Sequence, residues 1–557
     1  MKKVNISNIG VKIAIVVGIL IIVAAILIIV PNFKKDKNEG KVNFILNNNN
    51  VTSKLKKDIF IDENTKAVYV SKEDMENYFD GQIYYDKENE QLITTSDTKV
   101  AVMPMNSKTI KINSSEVKII APIIKKEATL YIPISELGNV YNIEIDTINN
   151  SIVTVDSLDR EFIKADIIKN TNVKYNTKLI SKTVDKLKEG DKVVWISEKN
   201  GWARIRTQNG KIGYIKSDRI TNKTTVREKM EPKKQIEGKI NLVWDYYSEY
   251  VDAPDRTGTT IEGINVVSPS FFSLDKGDTV KIIDNAARGG QNYIKWAKQN
   301  GYKIWAMFSN NSMRETTSKI LNNYKQREKL IEEIVKLAIK YEVDGINVDF
   351  ENMNMSDKDV YSRFIIELAP RLREYGMVIS VDVTAPDGSE NWSLCFNRNV
   401  IAKEADYIVF MAYDQYGVSS TNPGTTAGGD WVELNINKFL GQEDIKAEKI
   451  ILGMPLYTRL WKTDETGKST SVVVNMNKIE EKLPKDVQKV WDENTKQYYI
   501  EYEEKAITYR MWIEDERSIQ EKLNLINKYN LSGGAFWEKD RETSNIWKIT
   551  KETLNIK

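Results

Sequence analysis

The chain has 557 residues, with 81 Lys and Arg against 79 Asp and Glu, one cysteine and no histidine. The net charge of +2 supplies no basic face for nucleic-acid phosphates. Without imidazole there is no Ser-His-Asp or Cys-His triad, zinc-protease helix or histidine haem ligand. With Cys395 alone there is no intrachain disulfide, Cys-rich zinc site or iron–sulfur cluster. No cofactor or metal is expected, and any chemistry falls to carboxylates, Tyr, Lys or Ser. Compositional drift in a chain rich in Lys, Asn and Ile is the plain reading of both absences.

Residues 13–30, IAIVVGILIIVAAILIIV, form an apolar run long enough to cross a bilayer. No small-residue cleavage site follows it. Residues 1–12 are read as cytoplasmic, 13–30 as a single transmembrane anchor, and the remainder as lying outside the cell membrane, facing the wall. A cleaved signal peptide, leaving a secreted protein, is the competing reading. Three lysines precede the run and three follow it closely, so the positive-inside count does not set the orientation. Residues 31–50 are polar, end in four Asn and suit a linker.

A weak internal repeat follows. Val68-Tyr69-Val70-Ser71 and Leu130-Tyr131-Ile132-Pro133 each open a unit. Each continues into a short helical stretch, then an alternating strand, a turn and a further strand, which predicts a β-rich α+β module over 51–156. The pattern resembles the small domain at the N-terminus of copper amine oxidases. No copper ligands go with it, since there is no histidine. It is read as a stalk or wall-interaction module, or a plain spacer. Residues 160–220 carry short strands between Gly turns, with "EGDKVVWISEKNGWARIRTQNGKIGYI" at their centre, and predict a small β-barrel. This run is similar to bacterial SH3-like domains, which implies a cell-wall peptide as partner. Trp202 and Tyr214 are read as barrel core, with ligand contact as the second reading. Residues 221–237 are charged and read as a linker.

From 238 to 557 short apolar strands alternate with helical stretches. The strands begin at Ile240, Ile264, Lys303, Gly345, Val378, Tyr407, Ile450 and Gly533. Eight strands with intervening helices predict an α/β fold of the (β/α)8 TIM-barrel type. No Gly-rich phosphate turn follows the first strand, as a doubly wound sheet would want. The fourth strand reads Asp344-Gly345-Ile346-Asn347-Val348-Asp349-Phe350-Glu351. Period 2 sets Asn347, Asp349 and Glu351 on one face. Polar side chains there are costly without a task, and neighbouring like charges raise at least one pKa, as a general acid requires. A solvated or cation-binding strand end is the other reading. The sixth strand ends Phe410-Met411-Ala412-Tyr413-Asp414, the seventh gives Gly453 to Arg459, and the eighth is Gly533-Gly534-Ala535-Phe536-Trp537.

Asp-Gly-x-x-x-Asp-x-Glu, Met-x-Tyr-Asp and the closing Trp together resemble glycoside hydrolase family 18, the chitinase type. Within it the chain looks most like the spore and cell-wall branch acting on peptidoglycan. Residues 460–512 resemble the small α+β insertion of some members. The resemblance implies retaining hydrolysis in which the substrate's own acetamido group attacks the anomeric carbon. Glu351 would be the general acid and base, Asp349 would orient the acetamido nitrogen, and Tyr413 would bond its oxygen. Asp414 and Trp537 would contact the same sugar, with Tyr457 and Arg459 as further candidates. Asn347 stands where many members carry an Asp; it is expected to hydrogen-bond Asp349 without titrating and to belong to the substrate-binding set. Trp244, Tyr246 and Tyr247 either line the cleft or belong to the core. The expected partner is a glycan containing N-acetylglucosamine, in peptidoglycan or chitin. Alternative functions are a chitinase or an endo-acting deglycosylase, and a non-catalytic glycan-binding protein.

Overall fold

The computed structural model describes residues 40–178, 180–230 and 234–556. The anchor expected at 13–30 lies outside the described residues. Among those described, no helix is long and apolar enough to cross a membrane. The β-rich N-terminal residues and the residues from Lys233 onward form two compact units.

In the first unit the two halves of the internal repeat pair with each other. Val68–Ser71 and Thr129–Pro133 lie antiparallel, with Ile132 opposite Val70. Each runs directly into a helical segment, Lys72–Tyr78 in one half and Ile134–Leu137 with Gly138–Tyr141 in the other. Their apolar faces join one core that includes Val68, Val70, Met75, Ile132, Leu137 and Val140. The linker expected over 31–50 is ordered structure at its end. Asn43–Leu46 is a strand that pairs with Ile152–Ser157, and Phe44 is fully buried. Asn47 and Asn48 form the two-residue turn back to Asn49–Asn50, with φ of 47° and 62°. Asn tolerates this left-handed backbone, and paired positive φ values match the twist of a hairpin. The Asn run is therefore turn chemistry.

The second module of this unit has seven strands, with Ala203, Ile205 and Ile215 in its core. The linker expected over 221–237 is half absorbed. Ile220–Arg227 is the seventh strand, laid antiparallel on Phe162–Ile167. Its β-branched Thr residues suit a pleated surface. Trp202 and Tyr214 are half-buried and outside the core. Strand alternation gives the interior to Ala203 and Ile205 and turns Trp202 outward, where the Lys216 ammonium sits 4.1 Å above its ring.

The second unit is a closed barrel of eight parallel strands: β1 Ile240–Asp245, β2 Val266–Pro269, β3 Lys303–Ser309, β4 Gly345–Asp349, β5 Val378–Val383, β6 Tyr407–Met411, β7 Ile450–Pro455 and β8 Gly533–Trp537. The order is β2-β1-β8-β7-β6-β5-β4-β3, and pairing of β2 with β3 closes the ring. β2 starts two residues later than expected. The Asn265 side chain accepts the Asn241 amide and donates to the Lys239 carbonyl, replacing the first ladder bonds. Surrounding helices include α1 Gly290–Gln299, α2 Tyr324–Lys340, α3 Lys358–Arg373 and α4 Glu516–Lys528. The outward residues of β4 and β5, Ile346, Val348, Ile379 and Val381, belong to the strand–helix core. A separate apolar cluster, including Leu242, Trp244, Trp305, Met307 and Ile451, fills the barrel interior. Nothing apolar from the upper ends of β4 and β5 enters that interior cluster, and this is where the polar residues stand.

After β7 the chain builds a five-stranded antiparallel sheet from Tyr457–Thr463 to Ile507–Ile513, with a single helical turn at Ile479–Lys482. The α+β insertion thus spans slightly more than 460–512. Tyr457 and Arg459 lie on its first strand and not on β7 as read from sequence. Glu514, fully buried at its exit, accepts from Gln497 of the sheet and from Lys522 of α4.

The ring closes at Gly533, which faces Ile240 in register. A Cβ there would overlap the Ile240 carbonyl oxygen, which is backbone and cannot yield. Gly533→Ala is expected to destabilise the barrel by about 3 kcal/mol or more, the upper range for overpacking, read as a lower denaturant midpoint.

Candidate active site

β4, β5, β6 and β8 end on the same side of the barrel, and their last inward residues converge there. The layers differ in depth. Asn347, Ser380 and Asp382 are buried, while Asp349, Glu351, Tyr413 and Trp537 are partly exposed.

Asn347 is the centre of the lower layer. Its Oδ1 accepts from Trp244 Nε1 at 2.8 Å and Ser268 Oγ at 3.3 Å. Its Nδ2 donates to Ser380 Oγ at 3.0 Å and Asp382 Oδ1 at 2.7 Å. All four hydrogen-bonding positions of the amide are occupied, and the residue has no exposed surface. The expectation that Asn347 bonds Asp349 or contacts substrate is therefore corrected: its hydrogens are used on β5, and it supports the site from beneath.

Above it stand the acids. Asp349 is pushed up to about 8, first by burial, then by the charge of Asp382; a hydrogen bond from Ser309 opposes this. Glu351 is also pushed up to about 8, by burial and then by Asp349 and Asp414. Asp382 is raised strongly, chiefly by burial, with Asn347 opposing and Glu351 adding to the effect. Among the described residues no Lys or Arg offsets these charges. Burial without a cation favours the protonated acid.

Glu351 lies two residues beyond the end of β4, where the strand ladder no longer holds it. Asn310, following β3, does so instead. Its Oδ1 accepts the Glu351 backbone N–H at 3.0 Å, and its Nδ2 donates to the Glu351 carbonyl at 2.9 Å. The same amide bonds Thr317 Oγ1 and the Ser312 N–H, so its orientation is fixed by partners on both ends.

Tyr413 and Asp414 follow β6. Tyr413 packs edge-on to Tyr457, ring centroids 6.5 Å apart, and its hydroxyl is raised by burial and by the nearby carboxylates, Asp382 first. Asp414 has φ of 53° and turns its carboxylate to the insertion. Tyr457 donates to its Oδ1 at 2.8 Å, and Arg459 Nη2 reaches the same oxygen at 3.4 Å. Both partners are buried, so they hold Asp414. Trp537 ends β8, packed against Trp244 at 5.7 Å and Tyr246 at 5.9 Å. Trp244 and Tyr247 are core, whereas Tyr246 is 53% exposed and flanks Trp537. Arg256 joins the loops after β1 and β8 by paired bonds to Asp245 and Asp540. Among the described residues no cluster of three or more Cys, Asp or Glu is placed to hold a metal ion.

Two residues that shape the site, Asp382 and Asn310, escape the sequence reading. Asp382 was legible by the rule used for β4, since Ser380-Val381-Asp382 alternates in the same way. Asn310 carries no pattern, because its role depends on the chain crossing from β3 to the residue after β4.

A buried, raised acid beside a second acid, a Tyr and a Trp at the C-terminal mouth of a (β/α)8 barrel defines an acid–base site of the glycosidase class. Residues 242–542 match the model of glycosyl hydrolases family 18, more than half of the chain, and the chain belongs to that family. Residues 169–221 match the bacterial SH3 domain and 45–155 the copper amine oxidase N-terminal domain. The uncharacterized glycosylase YvbX of Bacillus subtilis is 26% identical over 52% of this chain and 84% of its own. The cortical fragment-lytic enzyme of B. subtilis is 25% identical over 42% of this chain, which spans only 56% of that relative. A chitinase from Chromobacterium violaceum shares the fold, with TM-score 0.51 and 22% identity over 57% of this chain and 99% of its own.

Asn310→Ala frees the main chain of the acid and is expected to lower kcat at least about tenfold, since misplacement of a reacting group is expensive, with the chain still folded by circular dichroism. The raised acids also set a pH dependence of stability. Between the usual carboxylate range and about pH 8 the native barrel binds more protons than the unfolded chain, so its stability falls as pH rises through that window. Denaturant midpoints at several pH values should decline toward pH 8 and decline less in Asp349→Asn.

Proposed function

We propose that the barrel is a retaining glycosidase that cleaves β-1,4 bonds after N-acetylglucosamine, with bacterial peptidoglycan of the wall or spore cortex as substrate. The observation that carries this is the setting of Glu351: a carboxyl group in the open mouth of the barrel, its backbone clamped by Asn310 and a second acid two residues away, with burial and the neighbouring acids pushing it up to about 8.

The chemistry follows from the family and the geometry together. The sugar stacks on Trp537, whose ring is kept upright by Trp244 and Tyr246. Its acetamido oxygen attacks the anomeric carbon as the glycosidic bond breaks, and the leaving oxygen takes the proton of Glu351. Asp349 accepts a hydrogen bond from the acetamido N–H and steadies the positive charge of the oxazolinium-like intermediate. Tyr413 donates to the acetamido oxygen and so aims it. Asp414, held by Tyr457 and Arg459, accepts from the same sugar. Glu351, now ionised, takes a proton from water, which opens the intermediate with retention. No step needs imidazole or a metal.

Peptidoglycan is favoured over chitin by the relatives named as cortical fragment-lytic enzymes and by the SH3-type module, proposed to hold wall peptide. The apolar run 13–30 is proposed to anchor the protein in the cell membrane with the barrel outside.

The chain lacking residues 1–39 is to be incubated with vegetative murein, cortex murein and chitin, and new reducing ends identified by mass spectrometry. N-acetylglucosamine ends from murein, lost on Glu351→Gln with binding retained, support the reading. Cleavage of chitin alone reassigns the substrate. A Glu351→Gln protein working at the parent's rate overturns the assignment. Activity is also expected to fall as pH rises through about 8, where Glu351 loses its proton.

A further inference from the structure

Asp382 has no role in the scheme above, and its setting is unusual. It is 1% exposed. Its hydrogen-bond donor is the amide of Asn347, 2.7 Å from Oδ1. β4 and β5 run in parallel register, Asn347 opposite Ser380 and Val348 opposite Val381. The next residues up the two strands are Asp349 and Asp382, side by side on the inner face. The remaining titratable groups facing Asp382 are Glu351 after β4, Tyr413 after β6 and Tyr361 on α3. None is a cation. Asn347 bridges one carboxylate oxygen of Asp382 to Trp244 Nε1 below. The charges of Asp382 and Asp349 act on each other directly.

We propose that Asp382 is a positioning residue for the reaction, sharing one proton with Asp349, and that Asn347 and Asp382 together form a carboxamide–carboxylate pair split across two strands. The inference rests on the roles of Asp349 and Glu351 proposed above. Two adjacent buried carboxylates cannot both ionise at neutral pH, so the pair keeps at least one proton, and the loss of one leaves a single shared negative charge. While Asp349 accepts the acetamido N–H, the proton resides on Asp382 and is donated to Asp349 as a hydrogen bond. The charge of Asp349 is then held beside the intermediate, and no proton is exchanged with solvent. The glycosidic bond still breaks with the proton of Glu351.

The geometry supplies its own control. Because Asn347 and Asp382 are hydrogen-bonded and of equal size, the amide and the acid can be exchanged. Asp382→Asn is expected to lower kcat on the order of 10²-fold, the lower range for a lost proton-handling group, with KM little changed. The double variant Asn347→Asp/Asp382→Asn returns a carboxylate to the pair, and kcat should recover most of the loss with the parent's pH profile. The exchange would also restore a purely structural hydrogen bond, but such a role predicts an unchanged pH profile in Asp382→Asn. The second readout is free of activity. In protein labelled at the Asp carboxyl carbons, Asp349 should titrate at lower pH in Asp382→Asn and return upward in the double variant. The proposal is overturned if Asp382→Asn keeps the parent's kcat and pH profile, if the folded double variant is no more active than Asp382→Asn, or if Asp349 titrates unchanged. Glu351→Gln is assayed beside them: retention of the parent's rate there strikes the acid–base reading itself, whereas the carboxyl titration still judges Asp382.

Discussion

The structure of the catalytic unit turns on one constraint: acids sit inside a barrel that offers them no cation. An ionised carboxylate in such a place is several kcal/mol out of balance. The relief available is to keep protons, and the pattern of partners around Asp349, Glu351 and Asp382 is consistent with that. Each donor near the acids is neutral: Ser309, Asn347, Asn310. A single Lys or Arg among them would ionise the cluster and remove the proton that the reaction uses. The charges the unit does pair stand apart from these acids, as Arg256 with Asp245 and Asp540 and Lys522 with Glu514.

The second consequence is a division of depth. Asp349, Glu351 and Trp537 touch solvent; Asn347 and Ser380 lie one level lower, closed off by Trp244, and Asp382 stands level with Asp349 but is buried. Hydrophobic residues still account for the fold. Outward Ile346 and Val348 attach β4 to its helices, and inward Trp244, Trp305 and Met307 fill the barrel. The site occupies the part of the interior left over when those apolar side chains have been placed.

Much of this was legible from residue order. Seven of the eight barrel strands begin where alternation and Gly placement put them, because parallel strands buried on both faces are short, apolar runs between helices. The site acids were readable for a similar reason, since polar residues at period 2 within such a run have few innocent explanations. What was not legible depends on chain crossings. Tyr457 and Arg459 were assigned to β7 because the strand continues in sequence, although its partners change. Asn47 to Asn50 and Ile220 to Arg227 look like linker by composition and are a hairpin and a strand by pairing, which polarity alone does not reveal. Asn347 was seen, but its bonding partner was not, because the amide turns sideways to β5.

The clamp on Glu351 has one more implication. A strand end at the mouth of a barrel is where backbone fluctuation is freest, because hydrogen bonds there have a neighbour on one side only. Asn310 extends the ladder by one rung using a side chain. It denies that freedom to one residue while leaving the loops on either side to move. Changes in those loops can therefore alter what the mouth admits without shifting the main chain of Glu351. Rigidity is confined to a single amide plane, and the rest of the rim remains available for change.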